Sequence, residues 1–254
     1  MPFVKHGSTL IFYAHIPKCG GTSIETYLQD RFGAVALLNR SLHGKPENQR
    51  WSKVSPQHLD WNSVKQILPE EMIDHAFAVV RHPIGRLVSA FQFQRDVELK
   101  IPKDVAFSSW LREVVQAPED LWLKYDNHFL PQTRFLPPKC TIFYMEHGLQ
   151  YLVPYLDEIL KTSDGPRVIP HENRSAASDS RDKIVLSDQD VEHIAKLYKT
   201  DFEKLGYDPN SKTPLTPPPV TEGDISGGLA VYSENELLVR IKRRLRKKAL
   251  EWLE

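Results

Sequence analysis

Leu10-Ile11-Phe12-Tyr13-Ala14-His15-Ile16-Pro17-Lys18-Cys19-Gly20-Gly21-Thr22-Ser23 is the stretch that decides the fold. Its first seven residues are apolar, aromatic or β-branched with one histidine, and Pro17 ends them, so they form a buried strand. A glycine-rich turn follows. From Ile24 to Phe32 the apolar residues Ile24, Tyr27, Leu28 and Phe32 recur at helical spacing. The unit is strand, glycine-rich loop, helix.

The same grammar returns downstream. Ala76-Phe77-Ala78-Val79-Val80 is a continuous apolar run suited to a buried parallel strand, and it ends in Arg81-His82-Pro83. Pro83 fits the first turn of a helix carrying Ile84, Leu87, Val88 and Phe91 on one face. Thr141 to Met145 gives a third strand, and helices are expected over Ser108–Val115, Leu149–Lys161 and Ser187–Leu205. Ser187 with Asp190 has the spacing of a capping box. Ser41 to Pro56 is polar and loop-like, and Val64 to Leu68 is a short helix stopped by Pro69. Apolar strands alternating with amphipathic helices predict an α/β fold, a P-loop-like three-layer sandwich with a central parallel sheet, over residues 1–208.

Residues 209–229 hold Pro209, Pro214, Pro217, Pro218 and Pro219 and then Gly227-Gly228, and read as a semi-extended linker. Residues 230–254 read as a basic amphipathic C-terminal helix, with seven Arg/Lys against three Glu from Glu236 onward and a stripe of Leu238, Ile241, Leu245, Ala249 and Trp252. Such a helix suits contact with an anionic membrane surface, docking on its own domain, or homo-oligomer formation. In the 254 residues Lys+Arg and Asp+Glu are both 33, so bulk charge argues against a dedicated nucleic-acid binder. Two cysteines, Cys19 and Cys140, are too few for a disulfide framework and lack metal-ligand spacing. With no apolar run near the ~20 residues of a membrane span and no signal-peptide pattern at the N-terminus, the chain reads as soluble and cytoplasmic.

The loop Lys18-Cys19-Gly20-Gly21-Thr22-Ser23 is built for an anion: glycines let the backbone approach, the helix N-terminus adds positive potential, and Lys18, Thr22 and Ser23 add a charge and hydroxyl donors. It is not a Walker A loop, because Lys18 precedes the glycines, and it lacks the dinucleotide spacing GxGxxG. The second strand ends in Arg81 where a nucleotide triphosphatase carries a magnesium-binding Asp. Arg81 and Ser89 are placed to hold a second phosphate, unless Arg81 pairs with a carboxylate across the sheet. Two anion sites without a metal carboxylate point to a ligand with two separated phosphates.

His15-Ile16-Pro17-Lys18-Cys19-Gly20-Gly21-Thr22-Ser23 and Val80-Arg81-His82-Pro83 through Arg86-Leu87-Val88-Ser89-Ala90-Phe91 together resemble the sulfotransferases that use 3′-phosphoadenosine 5′-phosphosulfate (PAPS), in the carbohydrate-sulfotransferase branch with its bacterial relatives. His128-Phe129-Leu130-Pro131-Gln132, Glu172-Asn173-Arg174-Ser175 and Tyr198 through Asp201-Phe202 to Leu205-Gly206-Tyr207 also look familiar. The resemblance covers residues 8–208. It departs from the pattern at Cys19, where Thr is commoner, and at His82, where Asp or Asn is commoner and a histidine could alter the pH response.

The resemblance implies transfer of a sulfuryl group from PAPS to an acceptor hydroxyl, in a carbohydrate or glycolipid, releasing adenosine 3′,5′-bisphosphate (PAP) without a metal. It implies that Lys18, Cys19, Gly20, Gly21, Thr22 and Ser23 hold the 5′-phosphosulfate, that Arg81 and Ser89 hold the 3′-phosphate, and that Lys18 also steadies the leaving oxygen. Arg174 and Ser175 close over the nucleotide, or are an exposed polar loop. An acceptor hydroxyl needs a base. His58 resembles the position of the base in uronosyl-type sulfotransferases; His128 is second, and Glu25, which can equally serve the helix dipole, is third. Cys19 is either a thiolate activated by the helix N-terminus or a small residue filling the Thr slot. A nucleotide kinase-like enzyme and a module acting through its basic tail are the competing functions.

Overall fold

The protein is described by a computed structural model covering residues 1–116, 120–170, 184–217 and 230–232. One five-stranded sheet runs in the order β1 (Phe3–His6), β2 (Thr9–Ala14), β3 (His75–Val80), β4 (Cys140–Tyr144) and β5 (Ala230–Tyr232). β2, β3 and β4 are parallel, with Tyr13 opposite Phe77 and Phe77 opposite Thr141. The two edge strands run antiparallel, so the sheet is only centrally parallel. β1 was invisible as a strand because it is four residues long, and it joins β2 through a tight turn at Gly7, whose φ is 58°.

The central strands are apolar throughout because both of their faces are covered. Ile11, Phe12, Tyr13 and Ala14, like Phe77 through Val80, are all buried, although successive side chains point to opposite faces. Phe12 meets Trp61 of helix α2 (Trp61–Ile67) with ring centroids 5.7 Å apart. On the other face Phe77 and Phe143 meet Tyr155 of α6 (Leu152–Leu160) at 6.0 and 5.2 Å. The sheet is therefore the middle layer of an α/β sandwich.

The remaining helices are α1 (Gly21–Phe32), α3 (Pro83–Asp96), α4 (Phe107–Val115), α5 (Asp120–Lys124), α7 (Asp188–Leu197) and α8 (Lys199–Leu205). The expected Ser187–Leu205 helix is two, broken at Tyr198 where φ is −107° and ψ is 27°. The capping box is present: Ser187 accepts from the Asp190 N–H and Asp190 reaches back to the Ser187 N–H. Among the described residues no helix is long and apolar enough to cross a membrane.

Two boundaries differ from the sequence expectation. The start of the 209–229 linker is packed: the Leu215 N–H donates to the Gly206 carbonyl at 2.8 Å, Pro214 is buried, and Thr216 Oγ1 lies 3.2 Å from Tyr144 Oη. Ala230–Tyr232 pairs with β4 as an edge strand and does not begin a helix. The basic stretch from residue 233 to 254 lies outside the described residues.

The parallel strands end on one side, where the turns after Ala14, Val80 and Tyr144 gather. A buried polar spine sets that edge. Asp201, at the first turn of α8, accepts from the N–H groups of Gln132 and Thr133 at 2.8 and 3.0 Å and from Thr133 Oγ1 at 2.9 Å. It thereby caps the 3-10 turn Gln132–Phe135. Asp201→Ala leaves buried donors without acceptors and should cost about 2–4 kcal/mol, read as a lower urea midpoint at constant slope. A midpoint shift worth under about 0.5 kcal/mol would show that the cap is not structural.

Candidate active site

The loop after β2 turns sharply. Lys18 and Gly20 both lie in the left-handed region, with φ of 70° and 80°. Gly20 is the N-cap of α1 and its cap makes no side-chain hydrogen bond, the kind of helix start at which an anion can be held. Gly21 is required for packing as well. A Cβ there would sit 2.1 Å from His15 Nε2. Thr22 is half-buried and Ser23 is buried. The Cys19 side chain turns inward, its Sγ 3.6 Å from Gln132 Oε1, and burial pushes its thiol up to about 12. Cys19 is therefore the small buried residue and not an activated thiolate; only its peptide group remains for a ligand. Burial pushes the Cys140 thiol up as well.

Arg81 extends β3 by one residue through a side chain instead of a strand. Gln132 accepts from the Arg81 N–H and donates to the Arg81 carbonyl, both at 2.9 Å. The guanidinium lies over Gly85, whose hypothetical Cβ would be 3.6 Å from Nε, and Nη1 donates to the Lys18 carbonyl at 3.3 Å. Among the described residues Arg81 has no carboxylate partner, which removes the cross-sheet ion pair from consideration. Ser89 follows one turn after Gly85 on the same face of α3. Arg86, on the same helix, is fully buried and braces the loops. It donates to the Pro17 carbonyl at 3.0 Å and the His128 carbonyl at 3.1 Å.

His82 is packed into the protein while also lining the cleft beside Arg81. Its ring is buried against Phe202 and Tyr207, and Nε2 bonds the Asp208 carbonyl at 3.1 Å. Here the histidine anchors the chain after Tyr207. A cleft of about 610 Å³ opens beside it, between Arg81, Glu146 and the segment Pro209–Lys212.

The structure brings Lys18, His58 and His128 together. Lys18 Nζ sits 3.9 Å from the centre of the Phe93 ring, Phe93 is 5.1 Å from the His128 ring, and His128 is 5.0 Å from His58. His58 Nδ1 bonds Asp126 Oδ2 at 2.7 Å. Asp126 Oδ1 is fixed by the Ser55 N–H at 2.6 Å, and Asn127 Nδ2 donates to the His58 carbonyl at 2.9 Å. This is the arrangement that orients an imidazole and leaves Nε2 to accept a proton. His128 Nδ1 is bonded to the Gln94 amide at 2.9 Å, and burial holds its pKa well below the ordinary value, so the ring is neutral. The donor atoms of His58, Asp126 and His128 lie within 4.8 Å of one another, close enough for a divalent ion to draw together.

Glu25 is not a base. It bonds His15 Nδ1 at 2.6 Å and Arg40 at 2.8 and 3.1 Å. Burial alone would raise its pKa, but His15 and Arg40 prevail and hold it at about 2. Burial draws His15 toward the neutral ring, so the charge pair is Glu25 with Arg40, and His15 donates to it. The His15 ring is in turn 5.0 Å from His58.

Asp126, Gln94 and Phe93 were missed by sequence reasoning. The one available signal was the run Asp126-Asn127-His128, a carboxylate beside a candidate histidine; its true partner, His58, lies 68 residues away. Arg174 and Ser175 fall outside the described residues.

A family model described as "Sulfotransferase family" matches residues 2–208, a span that holds the loop, Arg81, His58 and His128. Neither a curated protein nor a solved structure matches the chain.

The Glu25 carboxyl drops from an ordinary 4.5 to about 2 on folding, so its stabilisation is complete above pH 4.5 and fades as pH falls toward 2. Glu25→Gln should lose about 3 kcal/mol at neutral pH and flatten the stability profile across that window. An unchanged acid limb in chemical denaturation would refute the assignment. Gly21→Ala should destabilise by about 1–3 kcal/mol through the His15 clash, and a wild-type melting temperature would contradict it.

Proposed function

The chain belongs to the sulfotransferase family, and from that premise we propose that its donor is PAPS and its acceptor a carbohydrate or glycolipid hydroxyl. One observation carries this reading. The Arg81 guanidinium bonds the Lys18 carbonyl, which sets the cation at the end of β3 beside the glycine-rich loop that carries the other cation, Lys18. A nucleotide with a 5′-phosphosulfate and a 3′-phosphate matches that pair. The strand-end cation also disfavours a kinase-like chemistry, which would need a carboxylate there.

In the proposed reaction the acceptor oxygen attacks sulfur in line with the bridging oxygen of the phosphosulfate. The bond between sulfur and that oxygen breaks, and its electron pair stays on the 5′-phosphate as PAP leaves. Lys18 and the α1 amides neutralise the charge collecting there, fixed donors doing so without solvent reorganisation. Thr22 and Ser23 hold the 5′-phosphate through their amides and hydroxyls, while Arg81 and Ser89 hold the 3′-phosphate. His58 Nε2 takes the acceptor proton. Asp126, accepting from Nδ1–H, is the positioning residue that keeps the lone pair on Nε2. His128 is a neutral wall of the same pocket, beside Lys18. Arg174 and Ser175 complete the nucleotide site in this scheme.

Lys18→Ala should lower kcat about 10²–10³-fold, and Arg81→Ala should mainly raise the donor KM. His58→Ala should abolish transfer while sparing PAP affinity, and Asp126→Asn should lower kcat by about 10²–10⁴-fold with donor KM unchanged. The measurement is turnover of labelled PAPS against a panel of carbohydrate and glycolipid acceptors, with products read by mass spectrometry. Near-normal rates for Lys18→Ala and Arg81→Ala would remove the donor assignment. Turnover by His58→Ala would remove the base.

A further inference from the structure

We infer that Lys212 is a second cation for the 3′-phosphate of the donor and sets the preference for 3′-phosphorylated nucleotides; the inference rests on the donor reading above. The cleft beside Arg81 has two walls. One is the end of β3 and the start of α3, with Arg81, Ile84 and Gly85; the other is the segment after Tyr207, with Pro209, Asn210 and Lys212. Arg81 and Lys212 thus line the same cleft, and among the described residues neither has a carboxylate partner. The cleft does contain one carboxylate, Glu146, but both of its oxygens are occupied. Oε1 accepts from the His82 N–H at 2.7 Å and Oε2 from Tyr207 Oη at 3.0 Å. Two cations against one hydrogen-bonded carboxylate leave the cleft lining with a net positive charge, which favours an anion there.

The Lys212 wall is built, not a passing linker. The Asp208 side chain accepts from the Asn210 N–H at 2.8 Å, and its carbonyl accepts from the Ser211 N–H at 3.0 Å and bonds His82 Nε2 at 3.1 Å. Ser211 Oγ accepts from the Thr213 N–H at 3.2 Å, which closes the turn on the far side of Lys212. The segment is therefore tied to the residue next to Arg81 before any ligand arrives, which lowers the ordering cost of binding. Ile84, Met145 and Pro209 supply apolar surface in the same cleft, suited to a nucleobase beside the phosphate.

Calorimetric titration of the full chain with PAP and with 5′-AMP, which lacks only the 3′-phosphate, separates the possibilities. Lys212→Ala should raise the PAP Kd about tenfold and shift the 5′-AMP Kd less than about twofold, and Lys212→Arg should restore PAP binding to within about threefold. Lys212 is exposed, so these variants keep the fold, and a thermal melt checks it. A PAP Kd unchanged in Lys212→Ala, or an equal loss for PAP and 5′-AMP, overturns this inference and leaves the donor reading standing. If the wild-type chain binds no PAP, both fall together.

Discussion

The site depends on a single pair of hydrogen bonds, those between the Gln132 side chain and the backbone of Arg81. They hold the residue at the end of β3 in an extended strand-like register after the sheet itself has stopped. Gln132 can do this only because Asp201 fixes its backbone from α8. The same glutamine touches Cys19 of the glycine-rich loop. One buried amide therefore registers two loops from two strands against each other, and a carboxylate some seventy residues further along the chain sets the amide. Partly satisfied polar networks in an apolar interior are costly, so these groups move as a unit or not at all.

The carboxylates around the site are each held by hydrogen bonds to their own partners. Glu25 is committed to Arg40 and His15, Asp126 to His58 and Ser55, and Glu146 to His82 and Tyr207. Arg86, which could have been a third cation toward the ligand, is spent on two loop carbonyls. Arg81 meets the Lys18 loop at the Lys18 carbonyl, and the imidazoles of His128 and His58 follow Lys18 through Phe93. The buried His128 ring is held neutral there.

The fold was legible wherever local chemistry decides structure. The strand–loop–helix at 10–32, the apolar run ending in Arg81, and the Ser187–Asp190 box are all short-range patterns, and all three appear as read. What escaped was set by distance along the chain. β1 and β5 are three or four residues long and exist because a neighbour offers an open edge. Asp126 finds His58 only after folding. Pro209 to Pro214 has the composition of a linker, yet His82 and Gly206 hold it down, and no composition rule reports such tethers. The tie from the His82 ring to the Asp208 carbonyl joins residues 126 apart in the chain, beyond any local pattern.

Lys18 shows why the two ends of the donor site cannot be treated separately. A residue with a Cβ in the left-handed region costs about 1–2 kcal/mol, and glycine would avoid that cost, but glycine carries no charge. The conformation persists because the structure around it over-determines it. Arg86 holds the Pro17 carbonyl from below, the Arg81 guanidinium holds the Lys18 carbonyl from the side, and the ammonium rests on the Phe93 ring. Arg81 is thus both a phosphate ligand in the proposed chemistry and a brace for the strained residue that meets the leaving group. In the proposed chemistry, filling the 3′-phosphate site would fix the guanidinium, and through its bond to the Lys18 carbonyl the Lys18 peptide. Binding free energy at the non-reacting end of the nucleotide is thereby available to position the group that acts at the reacting end, which is how remote contacts accelerate a chemical step.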